Sequence, residues 1–512
     1  MGASLPLDGT SLRVRDLAPL FAGEELALTL DGAALERVRA ARNLVEEVVD
    51  SGSAVYGLTT GFGKLKNVAI ERGDLVELQR NLVLSHCCGV GDPMPVAEVR
   101  AVQVLRLNGL LRGHSGVRVA LLEKLARLFT KGFVPRVPQQ GSVGASGDLA
   151  PLAHMAAAYM GFGQATVGDG WVAAEEALRA IDEAPLALEA KEGLALINGT
   201  EVMAGIGAGA FLRAQTLSKT ADAITALTIE ALFGSQTPFD ERLAALKGNP
   251  GHHRTAANVR ACLRESRVLE SHADCDRVQD PYSLRCVPQV HGAFKDALAH
   301  VGEILGNEMN SVTDNPILFP DTGEIVSAGQ FHGQPLSMVF DYLGLSLSTL
   351  GNISERRTEQ LVNPDLSKLP GFLAAKPGLH SGMMIAQVAA ASLASENKIW
   401  SHPASVDTIP TSANQEDHVS MGTTAARKAR AIVSNVERIL AIEFLCAGQA
   451  REFHPELLPG KGALAAHELL RAHVPPLDAD RYLYDDLERA QELIRSGALL
   501  AAVEDAVGPL AS

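Results

Sequence analysis

The sequence predicts a mainly α-helical protein: an elongated helical bundle with a smaller, loop-rich N-terminal part. Three observations carry that reading. Apolar residues recur at helical spacing over stretches well beyond the roughly 11–12 residues of a globular helix. Strand-like alternation is scarce, and no βαβ rhythm occurs. The composition is 46% hydrophobic with 47 Gly, yet the 512 residues include only 15 Phe, 6 Tyr and 2 Trp. Long helices built from such a chain must pack through small residues. Residues 1–197 form the N-terminal part and 198–512 the long-helix part, and with no linker or repeat between them both are expected in one compact unit.

In the N-terminal part, elements are short and glycine turns frequent. Its most unusual segment is Gly141-Ser142-Val143-Gly144-Ala145-Ser146-Gly147-Asp148-Leu149-Ala150-Pro151-Leu152. Three glycines at spacing three permit a tight loop. Asp148 stands at a helix N-cap position, and Pro151 is tolerated in the first turn. A serine nucleophile elbow is disfavoured, because Gly144-Ala145-Ser146-Gly147 misses G-x-S-x-G by one position. Helical patterns then cover about 200–233, 287–308, 380–400 and 418–448. Another begins at Pro335, with Leu336, Val339, Phe340, Leu343, Leu347, Leu350 and Ile353 on one face. Asn315-Pro316, Asn363-Pro364, Pro370-Gly371 and Pro377-Gly378 read as breaks between helices. Gly205-Ile206-Gly207-Ala208-Gly209 lacks the preceding strand and final spacing of a dinucleotide loop, so it reads as close helix packing. His252-His253, flanked by Gly and Pro, reads as exposed loop. Long helices this rich in Ala, Gly and Ser need neighbours on several sides, which points to subunit association.

Composition excludes several partners. With 45 Lys+Arg against 60 Asp+Glu the net charge is −15, the wrong sign for a phosphate-binding surface. Few aromatics leave little for stacking on single-stranded nucleic acid. No basic-then-apolar leader opens the sequence, and no apolar run reaches the ~18 residues of a membrane span. The six cysteines (Cys87, Cys88, Cys262, Cys275, Cys286, Cys446) form no C-x-x-C pair and read as reduced, buried thiols of a cytoplasmic protein. G-x-x-x-x-G-K-[ST] and H-E-x-x-H are absent, and no His, Cys and acidic set has metal-ligand spacing. No metal and no nucleotide are expected.

Several separated motifs together resemble the histidine ammonia-lyases, within the wider family of aromatic amino acid ammonia-lyases and aminomutases. They are Val55-Tyr56-Gly57-Leu58-Thr59-Thr60-Gly61-Phe62-Gly63, the run Asn81 to Gly91, the Gly141–Leu152 loop, and Ile197-Asn198-Gly199-Thr200. Gln279-Asp280-Pro281-Tyr282-Ser283-Leu284-Arg285, Ser311 to Pro316, Phe331-His332, Ser354-Glu355-Arg356-Arg357 and Ser412-Ala413-Asn414-Gln415-Glu416-Asp417-His418 complete the set. The resemblance runs from about Asn43 to Gln449. It implies that Ala145-Ser146-Gly147 forms a 4-methylidene-imidazol-5-one electrophile autocatalytically, with no external cofactor. In that chemistry the third residue's amide nitrogen attacks the first residue's carbonyl carbon, and the serine loses its hydroxyl. Glycine is needed third, because a side chain would crowd the attack and forbid the turn.

The resemblance also implies roles. The amine is a poor leaving group and the β-proton is barely acidic; the electrophile addresses the first difficulty and a placed base the second. Tyr56 is implied as that base, which requires a phenol pKa well below ~10. Arg285 is the natural partner of the substrate carboxylate, matched two-pronged by its guanidinium. Asn198, Gln279, Tyr282 and Arg285 line the pocket around the electrophile, and Phe331 is the family's aromatic residue packed by the ring. Tyr282 and Arg285 share a face if their stretch is helical and otherwise line a loop.

Two places speak to substrate. Ser85-His86 matches the histidine-selective form, whereas tyrosine-selective relatives tend to carry His-Leu and phenylalanine-selective ones Phe-Leu. Glu416 suits an imidazole and would be costly to desolvate against a phenyl ring; whether it also moves a proton stays open beside Tyr56. The chain departs from the usual pattern at Cys87-Cys88 (commonly two alanines), at His291 (commonly Met) and at Gly333-Gln334 (commonly Ala-Glu). The first two read as volume or surface changes; the third removes a carboxylate near the pocket rim. The implied protein is a homotetramer converting L-histidine to trans-urocanate and ammonia in histidine degradation, with active sites combining residues of different subunits. Two rivals stay in view: a tyrosine ammonia-lyase or aminomutase using the same electrophile, and a non-catalytic helical scaffold.

Overall fold

The structure is a computed structural model that describes residues 3–52, 55, 57–58, 60–61 and 70–512. Among these residues it forms 21 α-helices and only short strands, in agreement with the mainly α expectation. The chain divides into two compact units, each stitched from three stretches: 1–209, 302–341 and 403–427 in the first, and 210–301, 342–402 and 428–512 in the second.

The expected helices are present with small shifts at their ends. They span Glu201–Ala231, Val287–Glu308, Gln334–Val362, Met384–Trp400 and Gly422–Arg451. On Gln334–Val362 all seven periodic apolar residues, Leu336 to Ile353, are buried. That helix stops before Asn363-Pro364, where Asn363 accepts the Asp365 backbone N–H and caps a new short helix, Pro364–Ser367. Small residues let the helices approach closely. A Cβ at Gly205 would strike Val102, one at Gly207 the Phe340 ring, and one at Gly209 the Phe21 ring. The Gly205–Gly209 run is therefore a helix-packing stripe.

All four small sheets of the described residues lie in the first unit. Ala3–Leu7 pairs in parallel with Leu26–Leu30; the others are antiparallel. The Gly141–Gly147 loop runs into the helix Leu149–Tyr159, and the turn Asn198-Gly199-Thr200 joins Glu192–Ile197 to Glu201–Ala231.

Three readings of the sequence need correction. His252 is buried inside the helix Pro250–Cys262, since the Gly-Pro pair at its start opens a helix and not a loop. Only Cys262 and Cys446 are buried; Cys87 and Cys286 are partly exposed and Cys88 and Cys275 fully so, all six being free. His291 is no volume change. Its Nδ1–H donates to Asp222 at 2.8 Å and its Nε2 accepts from Arg357 at 3.3 Å, inside the second unit.

Candidate active site

The tripeptide Ala145-Ser146-Gly147 sits on a backbone bent back on itself. Ser146 and Gly147 are both left-handed, with φ of 50° and 77°. A serine there is strained, a cost of order 1–3 kcal/mol that surrounding contacts must hold. The Asn198-Gly199 turn supplies them: the Gly199 N–H donates to the Ser146 carbonyl at 3.3 Å, and the Asp148 N–H donates to the Gly199 carbonyl at 2.7 Å. A Cβ at residue 147 would fall on that Gly199 carbonyl. Only glycine fits at this position, which is the residue ring closure requires. The loop therefore suits a methylidene-imidazolone built from its own backbone.

Asp148 occupies the N-cap position of Leu149–Tyr159 but does not cap that helix. Its carboxylate instead accepts the Met203 backbone N–H at 2.8 Å, the Ser142 hydroxyl at 3.0 Å and the Thr423 hydroxyl. It thus caps Glu201–Ala231 from a neighbouring helix and ties the tripeptide loop to Gly422–Arg451. Burial pushes the Asp148 carboxyl up to about 6, against the pull of these three donors. Sequence spacing identified the position; two of its three partners, Met203 and Thr423, are distant in the chain and were not legible.

Glu416 meets the tripeptide directly. Its Oε1 accepts from the Ser146 hydroxyl at 3.3 Å. Its Oε2 accepts from Thr411 at 2.7 Å and Ser412 at 2.8 Å, so one carboxylate oxygen is anchored and the other faces Ser146. The loop between bends through three successive left-handed residues, Ser412, Ala413 and Asn414, with φ of 51°, 52° and 65°. Non-glycine residues rarely visit this region even singly, so the bend is an unusual store of strain beside the site. Asn198, 2% exposed, donates through Nδ2 to Asp314 Oδ1 at 3.3 Å and to the Asn315 carbonyl at 3.2 Å, while its Oδ1 has no partner among the described residues.

His86 ends the helix Leu75–His86. Its Nδ1 lies 2.7 Å from the Leu82 carbonyl, an acceptor only, so Nδ1 carries a hydrogen, and of the two neutral tautomers this is the one with Nε2 as acceptor. Phe331 is half-buried three residues before the helix starting at Gln334. No hydrogen bond joins His86 to Ser146 or Glu416 among the described residues. Tyr56 lies outside them. Gln334 donates through Nε2 to the Ser405 carbonyl at 3.2 Å, a bond an ionised glutamate could not give.

Gln279, Tyr282 and Arg285 belong to the second unit. Tyr282–Arg285 is a single helical turn, and the Arg285 guanidinium lies 4.5 Å from the Tyr282 ring centre, a cation–π contact. Gln279 and Arg285 line a cleft of about 500 Å³ with Phe233, His272 and Arg277. Among the described residues there is no cluster of three or more His, Cys, Asp or Glu suited to a metal.

A helical fold carrying this strained Ala-Ser-Gly turn defines a class of protein. The chain belongs to the aromatic amino acid lyase family, whose profile matches residues 12–472. Among individual relatives, histidine ammonia-lyase of Myxococcus xanthus is 50% identical over 500 residues, 98% of each chain. The crystal structure of histidine ammonia-lyase from Trypanosoma cruzi superposes with a TM-score of 0.92 at 40% identity, covering 98% of this chain and 96% of that one. Tyrosine aminomutase from Streptomyces globisporus superposes at 0.94 with 36% identity, covering 100% of both. The chain is a carbon–nitrogen lyase of the ammonia-lyase kind, which removes the scaffold reading. Its family uses a methylidene-imidazolone group.

Proposed function

We propose that this lyase eliminates ammonia from L-histidine to give trans-urocanate, a step in histidine degradation. The observation that carries the reading is Glu416 Oε1 at 3.3 Å from the Ser146 hydroxyl. A carboxylate beside the reactive tripeptide suits an imidazole N–H and opposes a bare phenyl ring.

The methylidene-imidazolone from Ala145-Ser146-Gly147 supplies an electrophile that no ordinary side chain offers. This chain's other residues bind, orient and move a proton. Arg285 takes the substrate carboxylate through its forked N–H groups. His86 Nε2, an acceptor in the neutral tautomer, and Glu416 hold the imidazole from its N–H side. Asn198, Gln279 and Tyr282 surround the amino acid portion, and Phe331 packs by the ring. Tyr56 removes the β-proton, for which its phenol must titrate well below ~10.

We infer a homotetramer with shared active sites. Exposed apolar residues support it: Met338, Tyr342 and Leu345 on one helix, and Ile385, Val388, Ile399 and Trp400 on another. Isolated monomers rarely leave such runs uncovered. A cytoplasmic location is supported by six free cysteines; among the described residues no helix is long and apolar enough to cross a membrane.

The test is to incubate the protein separately with L-histidine, L-tyrosine and L-phenylalanine and follow the conjugated product in the ultraviolet. Histidine is expected to turn over fastest. Product from tyrosine without product from histidine would overturn the substrate assignment and favour the aminomutase-like rival.

A further inference from the structure

Behind the Asn198-Gly199 turn lies a buried ion pair that none of these roles uses. Lys191, 0% exposed, precedes the helix Glu192–Ile197 in a left-handed conformation with φ of 73°. Its Nζ donates to Asp314 Oδ2 at 2.5 Å. The other oxygen, Asp314 Oδ1, accepts the Asn315 backbone N–H at 2.7 Å and Asn198 Nδ2 at 3.3 Å. Asn198 Nδ2 also donates to the Asn315 carbonyl at 3.2 Å.

An asparagine amide has a donating end and an accepting end, and its neighbours decide which way round it sits. Both neighbours of Nδ2 are acceptors, so a turned-over amide would set oxygen against oxygen. One of those acceptors, the Asn315 carbonyl, is fixed by the backbone; the other, Asp314 Oδ1, is held in place by the bond of its partner oxygen to Lys191. Without Lys191, the buried Asp314 side chain would lose its charged partner and with it the contact that fixes its direction. The amide would then be oriented by the Asn315 carbonyl alone and held less firmly. The opposite end of the amide, Oδ1, is buried with no partner among the described residues, a costly state for an acceptor unless a ligand completes it.

We infer that the Lys191–Asp314 pair is a positioning device for Asn198, fixing its amide so that Oδ1 is a pre-set acceptor for the substrate's α-amino group. This rests on the reading of Asn198 as a pocket residue. Lys191 and Asp314 touch no substrate; they act through Asn198.

The experiment is a double-mutant cycle on the full-length enzyme. Lys191→Met strands a carboxyl, so Lys191→Met/Asp314→Asn, which removes both charges at similar volume, is made beside it. Each is built in the wild-type and Asn198→Ala backgrounds. kcat and KM for L-histidine, intact mass and Tm are measured for all. In the wild-type background the double change is expected to lower kcat by roughly 10- to 100-fold, with a smaller change in KM and the two-water mass loss retained. In the Asn198→Ala background the same change should cost less than about threefold. An equal loss in both backgrounds, or loss of the fold in both variants, makes the pair a structural element and overturns the inference. Wild-type turnover by Asn198→Ala itself would instead overturn the placement of Asn198 in the pocket. A wild-type protein inert toward all three aromatic substrates would overturn the functional reading.

Discussion

Two buried charge clusters, one in each unit, use the same residue types and are finished differently. In the second unit, Asp222 accepts from His291 at 2.8 Å and Asn258 at 2.8 Å and pairs with Lys295 at 3.2 Å. Arg357 grips Glu443 with two bonds of 2.6 and 2.8 Å, and Thr228 and Ser354 fill the same carboxylate. Among the described residues, none of these side chains has a buried polar atom without a partner. The first unit buries Lys191–Asp314 and Arg106–Glu201 behind the tripeptide, yet among the described residues leaves Asn198 Oδ1, Glu201 Oε2 and Arg106 Nε unpartnered. A closed network rigidifies a fold, whereas an open one carries a desolvation cost that a later partner can remove. Changes in the open cluster around Asn198 should therefore move activity, and changes in the closed network should move stability.

The largest expected effect breaks or upholds the first half of that contrast. Ser146→Ala should take histidine turnover to the assay floor with Tm near wild type, and its intact mass should lack the loss of two waters. Surviving activity would remove the tripeptide from the chemistry. Glu416→Gln comes next. The amide can keep the anchors to Thr411 and Ser412 through its oxygen but turns its amino group toward the site. Loss of a charge-assisted bond should lower kcat/KM for L-histidine by roughly 100-fold and raise the phenylalanine-to-histidine ratio. An unchanged ratio would mean that Glu416 does not read the imidazole.

Much of this was legible from residue order alone. The periodic apolar residues from Leu336 to Ile353 gave the helix Gln334–Val362, because burial of one face is a local, 3.6-residue signal. The need for glycine at 147 was equally readable, and Gly199 supplies its physical cause. What stayed hidden depends on distant pairs. Thr423 lies 275 residues from Asp148, and Glu416 lies 270 from Ser146. Nothing local marks Lys191 as the partner of Asp314, 123 residues away. His291 misled for the same reason: within its own helix it looks like a substitution of volume, and only Asp222 and Arg357 make it a junction.

Asp148 sharpens the contrast through pH. A carboxyl raised from 3.8 to about 6 in the folded chain holds its proton more tightly folded than unfolded. Its favourable contribution is complete below the unfolded value and is lost as pH rises through about 6. Asp148→Asn removes this dependence while Ser142 and Thr423 rotate their hydroxyls to accept. The stability of Asp148→Asn relative to wild type should therefore improve between about pH 4 and pH 6 by on the order of 3 kcal/mol and then level off. Denaturant midpoints measured on both proteins across that range check it. A flat difference would mean that the three donors cancel the effect of burial.

The smallest effect belongs to the closed network. His291→Met removes one donor from Asp222, which keeps Lys295 and Asn258, and one acceptor from Arg357, which keeps both bonds to Glu443. The expected cost is about 1–3 kcal/mol of stability, with kcat per folded enzyme unchanged. Burial holds His291 below its ordinary 6.5, and the facing Arg357 and Lys295 add to the effect against Asp222. A depressed histidine stabilises the fold while neutral and loses that contribution as pH falls below 6.5. The deficit of His291→Met should therefore be full at pH 8 and shrink below pH 6.5. A loss of kcat at constant stability would show that the second unit's network reaches the chemistry, and the separation between the two units' charges would fail.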